Sequence, residues 1–362
     1  SMSIRGEAMV KVNMHARDIV RIYRINGQPR PAVIMQDMST VFVQLSDLNG
    51  FIAVDLSTGN ELKRIEWPFQ GELPEGVPEL QRAMMRAEPL GNYEALLDRI
   101  RVVTGEQRFA LGVQLISGTH DPLDIARGFA TVAEAALQAA LAGTVAEFEK
   151  AHGRIEGSEM VILGLGRLGG EALTHASDLD IIYLFTGDHG AESDGERPLS
   201  ATRYYNRLAQ RVGAALSVPT AEGPLYDVDT RLRPQGAQGP LAVSVESFAR
   251  YQRESAWTWE HMALARARVV AGSYAARADV DDIIREVLCI ARDPASLRED
   301  VLKMRAEMAG HKPAKGPLDA KLLRGGLVDL EFLVHFLQLR DRIASLEGEL
   351  ARKTSFTSKF SA

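Results

Sequence analysis

Residues 160–180 read MVILGLGRLGGEALTHASDLD, and this stretch decides how the chain folds. It opens with an apolar run, residues 160–163, that is typical of a short buried strand. A glycine-rich turn over residues 164–170 follows, and a second apolar run covers residues 179–185. The sequence therefore predicts two buried strands that are joined by a tight, glycine-rich connection.

The glycine-rich turn admits two interpretations. Residues 164–169 match G-x-G-x-x-G, a pattern found where a strand meets a helix in dinucleotide-binding folds. That fold also needs a full helix and an acidic residue about 20 residues further on, at the end of the second strand. Here Asp178 and Asp180 come earlier, at the start of the second strand. The other interpretation is a turn whose backbone N–H groups approach a phosphate closely, and it fits this spacing better.

Asp178 and Asp180 stand two residues apart at the start of a strand, so their side chains point to the same face. Two carboxylates on one face repel each other unless a cation lies between them. Mg²⁺ prefers oxygen ligands and is usually held by one or two carboxylates together with substrate phosphates. The pattern predicts a Mg²⁺ site beside the glycine-rich turn, and the alternative is a solvated strand end with two surface acids.

Residues 225–232 are predicted to form a third strand. Polar residues alternate with apolar ones there and would share one face: Asp227, Asp229, Arg231 and Arg233. Asp229 would supply a third metal carboxylate, and the two arginines would bind phosphate oxygens. Ion pairing between strands is the alternative explanation of this pattern.

These motifs together resemble the nucleotidyltransferase superfamily. Five further stretches narrow the resemblance: LYDVDTRLRP at 225–234, YQR at 251–253, AWTWEH at 256–261, LARARVV at 264–270 and LRGGLVDLEF at 323–332. They are similar to the bifunctional glutamine synthetase adenylyltransferase/adenylyl-removing enzymes, from about residue 75 to about residue 340. The stretch 256–261 resembles the adenylyl-transferring half of that family, its C-terminal half, and residues 1–68 do not resemble the family.

The resemblance implies transfer of AMP from ATP to a tyrosine of glutamine synthetase, with release of pyrophosphate, in the control of nitrogen assimilation. It implies two Mg²⁺ ions, or Mn²⁺, held by the catalytic residues Asp178, Asp180 and Asp229. The implied partners are glutamine synthetase and the PII nitrogen-signalling protein. The residues expected to bind the nucleotide are Gly164, Gly166, Arg167, Gly169, Ser177, Arg231, Arg233, Gly236 and Gly239.

Two other functions remain open at this point. One is a regulatory module that binds a nucleotide and docks on glutamine synthetase without transferring AMP, although three intact carboxylates argue against it. The other is a dinucleotide-binding oxidoreductase. Arg266 and Arg268 are interpreted as surface charges or members of ion pairs, and Asp329 and Glu331 as structural or interface residues.

Composition limits the classes of protein. The chain has 362 residues, with 42 Lys and Arg against 48 Asp and Glu, so its formal net charge is −6. An acidic balance disfavours a non-specific nucleic-acid binder, and Cys289, the single cysteine, allows no internal disulfide. The first residues carry no signal-peptide pattern, and no stretch approaches about 18 uninterrupted apolar residues. We therefore expect a cytoplasmic protein that binds neither membrane nor nucleic acid.

The fold class expected is α+β: a small mixed sheet with helices, like that of nucleotidyltransferases, followed by a helical bundle. The predicted organisation is a β-rich segment over 1–70, a helical lead-in over 75–155, a catalytic core over 156–243, a helical domain over 244–350 and a frayed tail over 351–362. Strands are predicted at 41–45, 51–54 and 61–65. Helices are predicted at 93–103, 123–152, 200–216, 244–270, 276–292, 295–309 and 326–350.

Overall fold

The computed structural model describes residues 2–5, 8–13, 18–24, 29–34, 40–45, 50–66, 72–86 and 92–344. The chain divides into two units, one comprising Ser1–Glu75 and Glu106–Gly128 and the other Gly76–Gly105 and Phe129–Ala362. Helix and strand are mixed, as an α+β protein requires. The predicted tail over 351–362 lies outside the described residues.

The first unit contains seven strands among its described residues. They are β1 (Met2–Arg5), β2 (Ala8–Asn13), β3 (Asp18–Arg24), β4 (Pro29–Ile34), β5 (Thr40–Leu45), β6 (Gly50–Asp55) and β7 (Glu61–Glu66). Two antiparallel sheets result, β1-β2-β3 and β4-β5-β6-β7. The predictions of β5, β6 and β7 are confirmed, whereas β1 to β4 were not predicted.

The helices confirm much of the predicted pattern. They are α1 (Val77–Met85), α2 (Tyr93–Ser117), α3 (Pro122–His152), α4 (Gly166–Gly169), α5 (Ala201–Ser217), α6 (Val245–Glu254), α7 (Thr258–Leu264), α8 (Tyr274–Leu288), α9 (Pro294–His311) and α10 (Leu327–Arg340). Helix α3 ends where expected, because Gly153 adopts a φ of 67° immediately after it. Helix α10 begins one residue later than predicted and ends at Arg340.

One described helix, α3, is long and apolar enough to cross a membrane by length and composition alone. Its most apolar window has a mean hydropathy of 1.4, and 67% of that window is buried inside the structure. Burial of this kind is typical of a core helix in a water-exposed protein, since such a helix packs against other elements of its fold.

A five-stranded mixed sheet forms the centre of the second unit. Its strands are β8 (Met160–Gly164), β9 (Leu179–Phe185), β10 (Val228–Asp229), β11 (Ala242–Ser244) and β12 (Arg268–Ala271). The order is β10-β9-β8-β12, and β11 pairs with the same strand, β9, as β10 does. Strands β8 and β9 are antiparallel, while β10 and β11 are both parallel to β9. A dinucleotide-binding unit needs two parallel strands joined by a full crossover helix, so this topology contradicts the oxidoreductase alternative.

One face of the sheet packs against the C-terminal helices. Val161 and Leu163 of β8 and Ile182 and Leu184 of β9 belong to one buried cluster with side chains of the C-terminal helices. Members from those helices include Phe248, Met262, Val280, Val287, Leu297, Val301 and Leu339. Side chains alternate along a strand, so Asp180 shares the face of Ile182 and Leu184. The C-terminal helices therefore cover the face on which Asp180 lies.

The predicted strand over 225–232 is wrong in extent, because only Val228–Asp229 pairs as a strand. Before it, the N–H groups of Leu225 and Tyr226 both donate to the carbonyl of Leu216 at the end of α5. After it, the N–H of Arg231 donates to the Asp229 carboxylate at 2.8 Å, which turns the chain away from the sheet. The alternation of polar and apolar residues continues past Asp229, but no strand among the described residues pairs with it there.

The predicted helix over 244–270 is also wrong, because this stretch forms two helices and a strand. Helix α6 ends at Glu254, and α7 begins after Trp257, where the Glu260 carboxylate accepts from the Trp257 N–H at 2.9 Å. Residues Arg268–Ala271 then join the sheet as β12 beside β8. The spacing of small and apolar residues there is compatible with a helix, and pairing with a strand about a hundred residues earlier overrides it.

Arg101 fastens the end of α5 from which the chain enters β10. Its buried guanidinium donates to the carbonyls of Ala215 and Val218, each at 2.8 Å, and to that of Gly223 at 2.7 Å. A cation at a helix C-terminus satisfies carbonyls that have no partner within the helix.

We expect Arg101→Ala to lower the free energy of unfolding by about 3 kcal/mol, because it leaves buried carbonyls without donors. Urea unfolding followed by circular dichroism measures this change. Arg82→Ala, which removes an exposed ion pair with Glu79, should cost less than about 0.5 kcal/mol. Equal losses in both variants would show that the buried hydrogen bonds of Arg101 do not carry the effect.

Candidate metal centre

Three carboxylates meet at the start of β9. Asp178 precedes the strand, Asp180 is its second residue, and Asp229 ends β10 directly opposite Asp180 in the parallel register. One oxygen from each of the three lies within 4.8 Å of the other two. Asp178 is exposed, whereas Asp180 and Asp229 are half-buried. The structure thus brings together the three residues that the sequence predicted as metal ligands.

The three charges act strongly on one another. Burial raises the pKa of the Asp180 carboxyl above its usual range, and the neighbouring charges of Asp178 and Asp229 raise it further. The cations Arg231 and Arg266 act in the opposite direction on the same group. The pKa of Asp229 is instead lowered, first by hydrogen bonds from the Arg231 side chain. The two arginines therefore offset the repulsion at Asp180 only in part, and a bound cation would relieve it further.

This donor set fits a hard divalent cation. Carboxylate oxygens are the ligands that Mg²⁺ and Mn²⁺ prefer, and neither Cys nor His stands in the cluster. An exposed Asp178 leaves one side open to a ligand that brings its own oxygens. The fit is one of chemistry and spacing: three oxygens converge, and their repulsion favours a positive charge between them.

The glycine-rich turn packs directly on this cluster. Gly166, the first residue of α4, adopts a φ of 54°, a conformation that side chains disfavour. A Cβ built on Gly166 would lie 2.3 Å from Oδ2 of Asp180. The N–H of Leu165 also donates to the carbonyl of Asp180 at 2.9 Å. Only glycine allows the turn to come this close to the carboxylate.

Three other glycines that are predicted to bind the nucleotide lie very close to atoms of neighbouring segments. A Cβ on Gly169 would lie 2.0 Å from the carbonyl oxygen of Arg266, and one on Gly239 would lie 2.2 Å from that of Pro234. Gly164 ends β8 against Val270 and Leu168. Glycine is needed at these positions because a Cβ would clash with the neighbouring atoms. Nucleotide binding by these glycines stays a prediction.

Two polar members of the predicted set differ in how they are held. The Ser177 hydroxyl accepts from the Thr174 N–H at 3.1 Å and bonds the Thr174 hydroxyl at 2.9 Å, which closes the turn before Asp178. Arg167 is exposed on α4, and the loop residue Gly236 has a φ of 55°. The structure leaves Arg167 accessible and engages Ser177 in shaping the turn.

Arg231 and Arg233 point in different directions. The Arg231 guanidinium grips Asp229, with Nε at 3.0 Å from Oδ1 and 2.8 Å from Oδ2. Arg233 donates through Nη1 to the carbonyl and the hydroxyl of Thr230, at 2.8 and 3.1 Å, and weakly through Nε to Gly239. Arg231 is thus attached to a candidate metal ligand, whereas Arg233 holds the loop that follows.

Two cations next to the cluster were missed as site residues. Arg266 lies between α7 and β12, against the glycine-rich turn, and its charge acts on Asp180. The charge of Lys312, which follows α9, acts on Asp229. Neither lies near the carboxylates in sequence, so only the packing of the C-terminal helices on the sheet reveals them. The stretch 264–270 contributes to the family resemblance, but its helix-compatible spacing does not indicate that it lies against the turn.

Comparison with known proteins shows the family to which the chain belongs. The family of glutamate-ammonia ligase adenylyltransferases matches residues 68–283, which include every strand of the mixed sheet and the whole carboxylate cluster. The chain belongs to this family. Its relatives are therefore enzymes that are named for adenylyl transfer.

Three curated relatives carry the same printed name, bifunctional glutamine synthetase adenylyltransferase/adenylyl-removing enzyme. The protein of Mesorhizobium japonicum is 42% identical over 275 residues, which are 76% of this chain and 28% of the relative. Those of Rhizobium meliloti and Agrobacterium fabrum are each 46% identical over 249 residues, 68% of this chain and 25% of the relative. The chain thus spans about a quarter of the length of these relatives.

We expect Gly166→Ala to displace the Asp180 carboxylate. The added methyl group meets Oδ2 and also requires a strained φ, so stability should fall by about 2 kcal/mol and Mn²⁺ affinity by about tenfold or more. Isothermal titration with MnCl₂ and thermal unfolding measure the two effects. Gly157→Ala is the matched control, because Gly157 has a φ of 68° with nothing within 4 Å of its Cβ position. An unchanged Mn²⁺ affinity in Gly166→Ala would contradict the close packing described.

Arg231 competes with a cation for the oxygens of Asp229. Its side chain is 78% exposed, so the ion pair is weak and can open. Arg231→Ala should therefore bind Mn²⁺ about two- to fivefold more tightly in the absence of nucleotide. Arg285→Ala, which breaks an exposed pair on α8, should leave the affinity unchanged. Weaker Mn²⁺ binding by Arg231→Ala alone would mean that Arg231 orients Asp229 for the metal instead of competing with it.

Proposed function

We propose that this chain is an adenylyltransferase that moves AMP from ATP to a tyrosine hydroxyl of glutamine synthetase and releases pyrophosphate. The observation that carries the proposal is the convergence of Asp178, Asp180 and Asp229 beside Gly166 in a chain of this family. The names of the relatives include both adenylyl transfer and adenylyl removal. The similarity of residues 256–261 to the transferring half favours transfer, and it supports assignment of the chain to the C-terminal half of these enzymes.

In the proposed reaction, Asp178, Asp180 and Asp229 would hold two divalent cations. When bound, such ions offset charge on the phosphoryl oxygens and ease loss of the proton from the attacking hydroxyl, whose ordinary pKa is about 10. The Asp180 carboxyl must be ionised to bind a cation, although its surroundings raise its pKa. In the same proposal, one of the three carboxylates would accept the tyrosine proton.

The glycine-rich turn would hold the nucleotide against this centre. The first N–H groups of a helix have no acceptor within it, and Gly166, the first residue of α4, packs against Asp180. In the same proposal Arg231, once it leaves Asp229, binds oxygens of the departing pyrophosphate, since guanidinium groups match phosphate geometry. Arg233 would act by holding the loop 230–239 through Thr230 and Gly239.

The proposed protein partner is glutamine synthetase, and the proposed small-molecule substrate is ATP. Both follow from the family and its relatives' names. Regulation by the PII protein and a cytoplasmic location stay predictions from the sequence. The predicted subdivision into a catalytic core over 156–243 and a helical domain over 244–350 also stays a proposal. Arg266, from the helical part, packs against the glycine-rich turn of the core, so both parts would border the proposed site.

The first experiment incubates the protein with glutamine synthetase, α-labelled ATP and Mg²⁺, with EDTA in a parallel reaction. Label should appear on glutamine synthetase only when the metal is present. The double variant Asp178→Ala/Asp180→Ala should lose about a thousandfold or more of this activity while it keeps its fold, because the developing charge is no longer neutralised. Circular dichroism checks that the fold is kept.

The matched control is Asp279→Ala/Asp282→Ala, which removes two exposed carboxylates from α8. It should transfer AMP at the wild-type rate. Full activity in Asp178→Ala/Asp180→Ala would refute the metal assignment. Metal-dependent ATP binding by the wild type without any label on glutamine synthetase would refute the transferase and favour a regulatory module.

A further inference from the structure

Arg266 crosses the glycine-rich turn at the end opposite to Asp180. Its carbonyl oxygen would lie 2.0 Å from a Cβ on Gly169, and its Cδ would lie 3.2 Å from a Cβ on Gly170. Gly166, at the other end of α4, is the residue that touches Asp180. The four residues of α4 rise about 6 Å in total. The aliphatic part of Arg266 thus lies a short helical turn away from the carboxylate cluster.

The charged end of Arg266 lies between the cluster and α10. Nη1 donates to Oε1 of Glu331 at 3.3 Å, with the two side chains 36% and 47% exposed. The same guanidinium lowers the pKa of Asp180 on one side and of His335 on the other. His335 is half-buried and has a pKa of about 4, chiefly because of burial, so it is neutral near pH 7. Glu331 is therefore the anion that competes for Arg266 from the side of α10.

Three other arginines of this region, Arg231, Arg233 and Arg268, are more firmly engaged than Arg266. Arg231 holds both oxygens of Asp229, and Arg233 holds Thr230. Arg268 is paired with the buried carboxylate of Glu134 and contacts the carbonyl of Leu168. Among the contacts of the described residues, Arg266 makes a single, long side-chain hydrogen bond with an exposed partner. An incoming anion can therefore recruit Arg266 at a smaller cost than these three, since exposed ion pairs are weak.

We propose that Arg266 binds the phosphate groups beyond the α-phosphate of the bound nucleotide, and that it leaves Glu331 to do so. This inference rests on the proposed function, which places the α-phosphate at the carboxylates beside Gly166. A phosphate chain that continues along the turn then passes the guanidinium. The planar guanidinium can donate two parallel hydrogen bonds to phosphate oxygens. The released Glu331 carboxylate is exposed enough to be hydrated.

The proposal predicts opposite consequences for the two members of the ion pair. Arg266→Gln removes the phosphate ligand, so binding of ATP and of inorganic pyrophosphate should weaken about tenfold or more. Binding of AMP, which ends at the α-phosphate, should change less than about twofold. Glu331→Gln removes the competitor and should leave ATP binding unchanged or tighten it up to about fivefold. A merely structural ion pair would make both variants lose stability and would not distinguish ATP from AMP.

Isothermal titration of the full chain with ATP, pyrophosphate and AMP, each with Mg²⁺, measures these affinities. Arg253→Gln is the matched control, because Arg253 of α6 forms a similarly exposed ion pair with Glu286 of α8, at 42% and 56% exposure. It should bind all three ligands like the wild type. Thermal unfolding of each variant shows whether enough folded protein is present.

Wild-type affinity of Arg266→Gln for both ATP and pyrophosphate would overturn the assignment. Equal weakening of ATP and AMP would also overturn it, since the contact would then lie at the α-phosphate or act through the fold. The labelling reaction keeps the two proposals apart. Transfer by the wild type together with unchanged ATP affinity in Arg266→Gln refutes this inference alone. Selective loss of ATP and pyrophosphate binding without any transfer by the wild type refutes the transferase alone.

Discussion

Repulsion among three carboxylates is the constraint on which the rest of the site depends. Asp180 and Asp229 face each other across paired strands, and Asp178 joins them from the preceding turn. Such a cluster destabilises a fold unless other interactions hold the residues in place. Here the holding elements are strands β8 and β9, which are buried along nearly their whole length. A stable sheet thus supports a local arrangement that is unfavourable without a bound cation.

Two neighbouring residues, Gly166 and Arg231, act directly on the carboxylates of the cluster. Gly166 lets the backbone of the turn contact the Asp180 carboxylate, where a side chain would force the two apart. Arg231 neutralises Asp229 with an exposed and therefore weak ion pair. The first solution is rigid and the second is reversible. The proposed function needs both, because it requires the ligand positions to be fixed while the compensating charge leaves.

The central strands and the carboxylates were predictable because their signals are local. The apolar run 179–185 has the same bounds as β9, and Asp178 and Asp180 lie two residues apart at the start of that strand. Helices α3, α5 and α9 likewise follow from apolar spacing and from stop signals such as Gly153. The convergence of Asp229 on Asp180 was expected from the alternation around it and from the resemblance, although the strand that carries Asp229 proved to be only two residues long.

The remaining features depend on partners that are distant in sequence. Arg268–Ala271 has helix-compatible spacing and becomes a strand only because β8 is available to pair with it. Arg266 is brought to the turn by the same pairing, and Lys312 by the packing of α9. The segment 1–70 was predicted to be β-rich, but the individual strands β1 to β4 were not predicted. No local pattern marks such positions, since what defines them is the sheet or helix that the chain meets after a long excursion.

Strands β10 and β11 bind consecutive stretches of one edge of β9, so they are two pieces of a single interrupted strand. Residues 230–241 form the excursion between the pieces. Its entry is held by the bond from the Leu179 N–H to the Asp227 carbonyl, and its exit by Asn206 of α5, which bonds Leu241 and Ala242. Because both ends are anchored independently, this loop can change in length and composition without shifting the sheet register. Changes in this loop can therefore leave both pieces of the strand, and Asp229 with them, in place.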